Sequence, residues 1–120
     1  MTGPADPSRT WWPLERLLAE VRPGSYDGDW TWEQEHDDLW FGPNASQSRM
    51  DALATSMQLD GQREPVIVGD DGRLWDGHHR VAVAMRLGFE EVLVVRYEDM
   101  TDEERDEYLV EAVGGWEAGL

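Results

Sequence analysis

The most constraining stretch of this chain runs from residue 66 to residue 88. Two short apolar runs, Val66-Ile67-Val68 and Leu74-Trp75, flank the turn sequence Gly69-Asp70-Asp71-Gly72. Asp76-Gly77-His78-His79-Arg80 follows, and then Val81-Ala82-Val83-Ala84-Met85-Arg86-Leu87, stopped by Gly88. Apolar runs around an Asp/Gly turn predict a hairpin, and the apolar-rich run closed by a glycine predicts a helix. Strand, turn, strand, glycine, basic cluster and helix in that order bring an arginine to the first turn of a helix. That turn offers unpaired amides and the positive end of the helix dipole, which together attract anions. Gly77 lets a ligand approach the main chain, and the planar fork of Arg80 matches phosphate oxygens. The sequence thus predicts a phosphate-binding site at Gly77, His78, His79 and Arg80.

The motifs of this region resemble those of the ParB/sulfiredoxin superfamily. They are Gln62-Arg63-Glu64-Pro65-Val66-Ile67-Val68, Asp71-Gly72, Asp76-Gly77-His78-His79-Arg80, Ala84 and Leu87-Gly88. The superfamily pattern is a helix, a glycine, a Pro-Ile-x-Val strand, a hairpin, a Gly-x-x-Arg turn, a helix ending Leu-Gly, and another strand. Residues 49–97 lie on it in order. The resemblance implies an α/β (α+β) fold, a small mixed sheet with packed helices. It also implies binding of ATP, ADP or CTP with Mg2+, in a superfamily that contains CTP-binding partition clamps, an ATP-using sulfinic acid reductase, free amino-acid kinases and proteins labelled nucleases. Where sulfiredoxin has its reactive cysteine, this chain has His78, which removes the reductase activity. The Asp-Gly-His-His-Arg turn is closer to the free-serine kinases than to the partition proteins, whose turn usually carries Glu-Arg-Arg.

A length of 120 residues fits one small domain over 1–120, with residues 1–10 expected as a loose tail and 49–97 as the core. No N-terminal apolar segment resembles a signal peptide, and no run approaches the ~20 apolar residues of a membrane span. The chain has no cysteine, which excludes disulfides and thiol chemistry and fits a cytoplasmic protein. Charge is the second constraint. There are 26 acidic residues against 10 basic ones, all Arg, for a net charge of -16. Five Arg and six acids fall between Arg63 and Arg96, so that segment is nearly neutral and the acid lies in the flanks. Such a field repels nucleic acid, and no direct duplex DNA binding is expected.

Elsewhere, Leu14, Leu17, Leu18 and Val21 have helical spacing, with Pro13 at the first helical position and Pro23-Gly24 as the stop. Residues 25–44 mix Tyr26, Trp30, Trp32, Trp40 and Phe41 with six acids without a clean period, and read as a packed loop with one helical turn. A helix capped by Ser46 or Ser48 is expected over Arg49 to Gly61, with Met50, Leu53, Ala54 and Met57 as its apolar stripe. Val92 to Val95 read as a buried strand. Thr101-Asp102-Glu103-Glu104 is a capping box that opens a final helix, whose apolar face would be Tyr108, Leu109, Ala112, Val113 and Trp116.

Of the remaining candidates, Asp76 has the position of a helix cap or of a magnesium ligand acting through water. Glu64 is the best-placed carboxylate for general-base or metal work, and His78 is the second catalytic candidate. By family position, Gln62 joins the phosphate-binding set. Adjacent histidines point apart, which disfavours a shared transition-metal site with Asp76, His36 and Asp37 or Asp38. Trp12 and Trp75 are expected in the core. The function expected is a nucleotide-binding module, with phosphoryl transfer or nucleotide hydrolysis as its chemistry. The alternative is a non-catalytic acidic adaptor or inhibitor that binds a protein partner or a second copy, with Trp30, Trp32 or Trp40 as an exposed cluster. A ParB-like nuclease is the third reading.

Overall fold

The computed structural model describes residues 9–24 and 30–109. Strand β1 (Arg9–Pro13) leads into α1 (Leu14–Glu20), α2 (Trp32–Phe41), α3 (Gln47–Asp60), β2 (Val66–Val68), β3 (Leu74–Asp76), α4 (His78–Leu87) and β4 (Glu91–Arg96). A 3-10 turn at Tyr97–Asp99 follows, and residues 102–109 are helical (α5). The four strands form one mixed sheet in the order β1-β4-β2-β3. The β2–β3 pair is the predicted hairpin, antiparallel with a register shift between Ile67 and Val68. Val66 to Val68 run parallel to Val94 to Arg96, and β1 closes the other side antiparallel to β4.

Residues opposite each other in register share a face. Trp12, Val92, Val94 and Val66 therefore look the same way, and with Val68 and Leu74 they pack against Leu14 and Leu17 of α1 and Val81 and Ala84 of α4. Behind α4, Trp40 of α2 and Met50 and Met57 of α3 pack on Ala82 and Val83. Helix α4 is thus sandwiched, and Val81 to Ala84 are all buried. The predicted α3 and β4 are present, and Ser46 caps α3 by accepting from the Arg49 amide. The capping box at Thr101 and Glu104 is also present. Ala112, Val113 and Trp116 lie outside the described residues.

Four expectations are corrected. Arg9 and Thr10, placed in the loose tail, belong to β1, which exists through pairing with a strand about eighty residues away in sequence. Pro13 does not open α1 as its first residue but stands one position earlier, at its N-cap. The loop expected over 25–44 contains a ten-residue helix, α2, opened by a capping box between Thr31 and Gln34. Trp32 and Trp40 are its buried anchors, because each indole N–H has a backbone acceptor, the carbonyls of Val21 (2.7 Å) and Ala82 (3.1 Å). Trp12 is in the core as expected, but Trp75 is 37% exposed. It lies across Gly69, where a Cβ would fall 2.0 Å from the indole, and its N–H donates to Asp71.

Gln62 holds the approach to the sheet. Its side-chain amide donates to the carbonyls of Glu64 (2.8 Å) and Leu93 (3.0 Å), and its oxygen accepts the Leu93 amide (2.8 Å). Gln62→Leu keeps the bulk but strands part-buried backbone groups, and should cost about 1–3 kcal/mol of unfolding free energy. Urea denaturation checks this, and an unchanged midpoint would mean that the clamp contributes nothing.

Candidate functional site

The candidate site is where the hairpin hands over to α4. Gly77 is the N-cap of α4 with φ 101, and no side chain caps the helix. A Cβ at Gly77 would lie 2.6 Å from Val66 Cγ1 and 3.1 Å from Val66 Cα, so the turn rests on β2 more closely than any side chain permits. Asp76 ends β3 opposite Ile67 and does not cap the helix. The expected cap is corrected for a local reason: Gly77 occupies the cap position, and Asp76 falls one residue too early. The first amides of α4 are left without side-chain acceptors of the usual kind.

Residues in a helix's first turn are rotated by about 100° from one to the next. His78, His79 and Arg80 accordingly leave in three directions. The Nε2 of His78 is 2.7 Å from the carbonyl oxygen of Pro23. That segment also runs beside β3: the Arg22 amide donates to the Gly72 carbonyl, and the Arg22 carbonyl accepts from the Leu74 amide. His78 is therefore a packed brace between Pro23 and the start of α4. Its side chain lines neither of the cavities that His79 and Arg80 line.

His79 lines a cavity of about 150 Å³ between the starts of α4 and α3, with Asp38, Asn44, Ser46 and Arg49. Burial, foremost, and then the charges of Arg49, His78 and Arg80 push the His79 imidazole below its ordinary value of 6.5, against a smaller opposing pull from Asp76. Arg80 lines a second cavity of about 230 Å³, between the other face of the sheet and α5. Arg9, Glu64, Asp76, Glu104, Glu107 and Tyr108 share it, with Pro65, Ile67, Val95 and Met100 as its apolar wall. Arg80 donates to the Pro65 carbonyl at 3.3 Å and makes no ion pair with any described residue, although four carboxylates line the same cavity. Tyr108 is pushed above 10.0 by burial and then by Asp76 and Tyr97, so its phenol stays neutral.

Three expected residues, Glu64, Asp76 and Arg80, thus meet in one cavity, while His79 opens on its neighbour across the start of α4. Gln62 meets neither: it is buried, and its amide is engaged by the backbone of residues 64 and 93. Its side chain is thus committed to the backbone rather than turned to either cavity. Arg49 was missed, although the sequence carries a signal for it. A cation in the first turn of a helix opposes the dipole. The first turns of α3 and α4 contain no acid and hold Arg49 and Arg80, whereas α1 opens with Glu15 and α2 with Glu33 and Glu35. Among the described residues no three His, Asp or Glu side chains converge closely enough to hold a metal ion by themselves. A single carboxylate at Asp76 suits a magnesium ion that arrives with phosphate and keeps most of its waters, and does not suit a resident metal.

No protein-family model matches the chain, and no curated protein matches it. Solved structures similar in fold include the following two. The Pnob8-like ParB-N domain superposes with a TM-score of 0.53 at 21% identity, over 89% of this chain and 37% of its own. The C-terminally truncated chromosome-partitioning protein ParB from Caulobacter crescentus, complexed with CTP-gamma-S, superposes with a TM-score of 0.52 at 15% identity, over 87% of this chain and 51% of its own. The chain therefore spans only about a third to a half of those proteins. It has a ParB-like fold, as its motifs predict.

The His79 environment makes stability depend on pH. With its folded value below 6.5, His79 stays deprotonated where the unfolded chain already takes up a proton. Stability is then full above about pH 6.5 and declines as pH falls toward the folded value. His79→Asn should flatten this part of the profile relative to wild type in urea melts between pH 5 and pH 7.5. Parallel profiles for the two proteins would contradict the assigned environment.

Proposed function

We propose that this domain binds the phosphates of a nucleotide at the start of α4. One observation carries the reading. In a chain of net charge -16, the two helices whose first turns border one cavity both lack acids there and both carry an arginine, Arg49 and Arg80. Helix starts attract anions, and two of them close together with cations nearby concentrate that attraction. The likeness to a ParB structure complexed with CTP-gamma-S supports the choice of a nucleotide over a simple anion.

In this reading, Gly77 keeps the main chain accessible, the first amides of α4 and Arg80 take phosphate oxygens, and His79 with Arg49 takes them from the other side. The carboxylates of Glu64, Asp76, Glu104 and Glu107 would repel a bare triphosphate from the Arg80 cavity. A magnesium ion held by Asp76 and the phosphates would offset that repulsion and, when bound, neutralise charge developing on a phosphoryl group. The nucleotide is ATP, ADP or CTP. Should turnover accompany binding, as phosphoryl transfer or hydrolysis, Glu64 would be the carboxylate that accepts a proton. The nuclease reading gains nothing from this arrangement, because an acid-lined cavity is a poor seat for a polyanion.

Calorimetric titration with ATP, ADP and CTP, with magnesium and with EDTA, tests the reading. At least one nucleotide should bind in a magnesium-dependent manner. Arg80→Ala should weaken that binding by about 1.5–3 kcal/mol, the range for hydrogen bonds to charged groups, and Arg80→Lys should recover part of the loss. Equal affinities for wild type and Arg80→Ala, or no binding at millimolar nucleotide with magnesium, would contradict it.

A further inference from the structure

A separate surface on the far side of α1 points to a protein partner. Two shallow concavities, of about 710 Å³ and 540 Å³, share Leu18 and Ala19 and so form one continuous groove along α1. Its floor is apolar. Leu18, Met85 and Phe89 are partly buried side chains packed on the main core, and each turns its remaining surface to the groove. Trp30, half-buried, stands at one end. None of these residues lines the cavities of His79 and Arg80.

The rim of the groove is acidic. Glu15 and Glu90 border one end and Glu33 the other, all exposed, against the single basic residue Arg22. An apolar floor with a charged rim is the general layout of a recognition groove, where large apolar anchors supply affinity and peripheral charge selects the partner. A second copy of this chain is a poor occupant. It brings its own net charge of -16 to a rim that is already negative. We infer that the groove receives an amphipathic, Arg- or Lys-rich segment of a basic protein partner, its apolar side on Leu18, Met85 and Phe89 and its cations against Glu15, Glu33 and Glu90. The adaptor reading of the sequence had rested on Trp30, Trp32 and Trp40. Two of those, Trp32 and Trp40, are buried in the fold; the groove includes Trp30 and the edge of Trp32, while Trp40 takes no part in it.

A strongly acidic protein attracts any basic peptide weakly, so the experiment must separate the groove from the general field. The probe is a fluorescein-labelled helical peptide with a Leu face and a Lys face, and the readout is fluorescence anisotropy on the full chain at physiological salt. Ala19→Arg places a bulky cation at the centre of the groove on an exposed position, and Thr55→Arg makes the same charge change on exposed α3. Ala19→Arg should weaken peptide binding about tenfold or more, as loss of a central contact does, while Thr55→Arg should change it less than about twofold. Backbone amide shifts on binding should cluster at Leu18, Ala19, Met85 and Phe89. Equal weakening by both variants would mean a diffuse field and overturn the proposal, as would no binding of the probe. Self-association in sedimentation that Ala19→Arg abolishes would assign the groove to a second copy and overturn it as well.

Discussion

The contact between Gly77 and Val66 organises this molecule. It puts the start of α4 directly on strand β2, at a separation that admits no side chain, with a backbone conformation that glycine adopts freely. From that point α4 runs back across the sheet, and its Val81 to Ala84 fill the space between sheet and outer helices. The same contact sets the start of α4 beside the cavity that His79 shares with Arg49 of α3. A single steric fact thereby fixes both the core and the place where we propose that phosphate binds.

Charge then distinguishes the two sides of that helix start. Toward α3 the environment is one of dipole ends, Arg49 and a neutral imidazole, opposed by Asp38. Toward α5 it is two arginines, Arg80 and Arg9, among four carboxylates, and α5 brings Glu104 and Glu107 to it. An anion entering alone is favoured on the first side; an anion that carries its own divalent cation can bridge to the second. The surplus of acid in the flanks of the sequence thus acts at the site, since α5 belongs to one of those flanks.

Legibility in the sequence followed the range of the interactions involved. The hairpin, α3, α4 and the Thr101 capping box are set by neighbours within a few residues, and local pattern located each. Strand β1 depends on β4, far away in the chain, and Arg9-Thr10-Trp11-Trp12-Pro13 carries no strand signal strong enough to stand alone. Helix α2 was hidden because its buried positions are filled by Trp32, Glu35 and Trp40, which do not form a regular apolar stripe. Its Thr31 and Gln34 capping pair was nonetheless readable. At the site, Gly77 and Arg80 were legible from the turn itself. The fates of Gln62 and His78 were not, because both are decided by backbone carbonyls, of Leu93 and Pro23, that reach them through tertiary packing. Arg49 was legible in principle, as a cation at the wrong end of a helix, but only once the start of α3 is set beside that of α4.

The central claim is that phosphate is held by the opening amides of α4. Amide nitrogen–proton correlation spectra recorded during titration with magnesium and ATP, ADP or CTP test it most directly. Saturable shifts should be largest at His78, His79 and Arg80, with the side chain of Arg80 following the same curve. Saturable binding that leaves those three amides unmoved while shifting others would contradict the account.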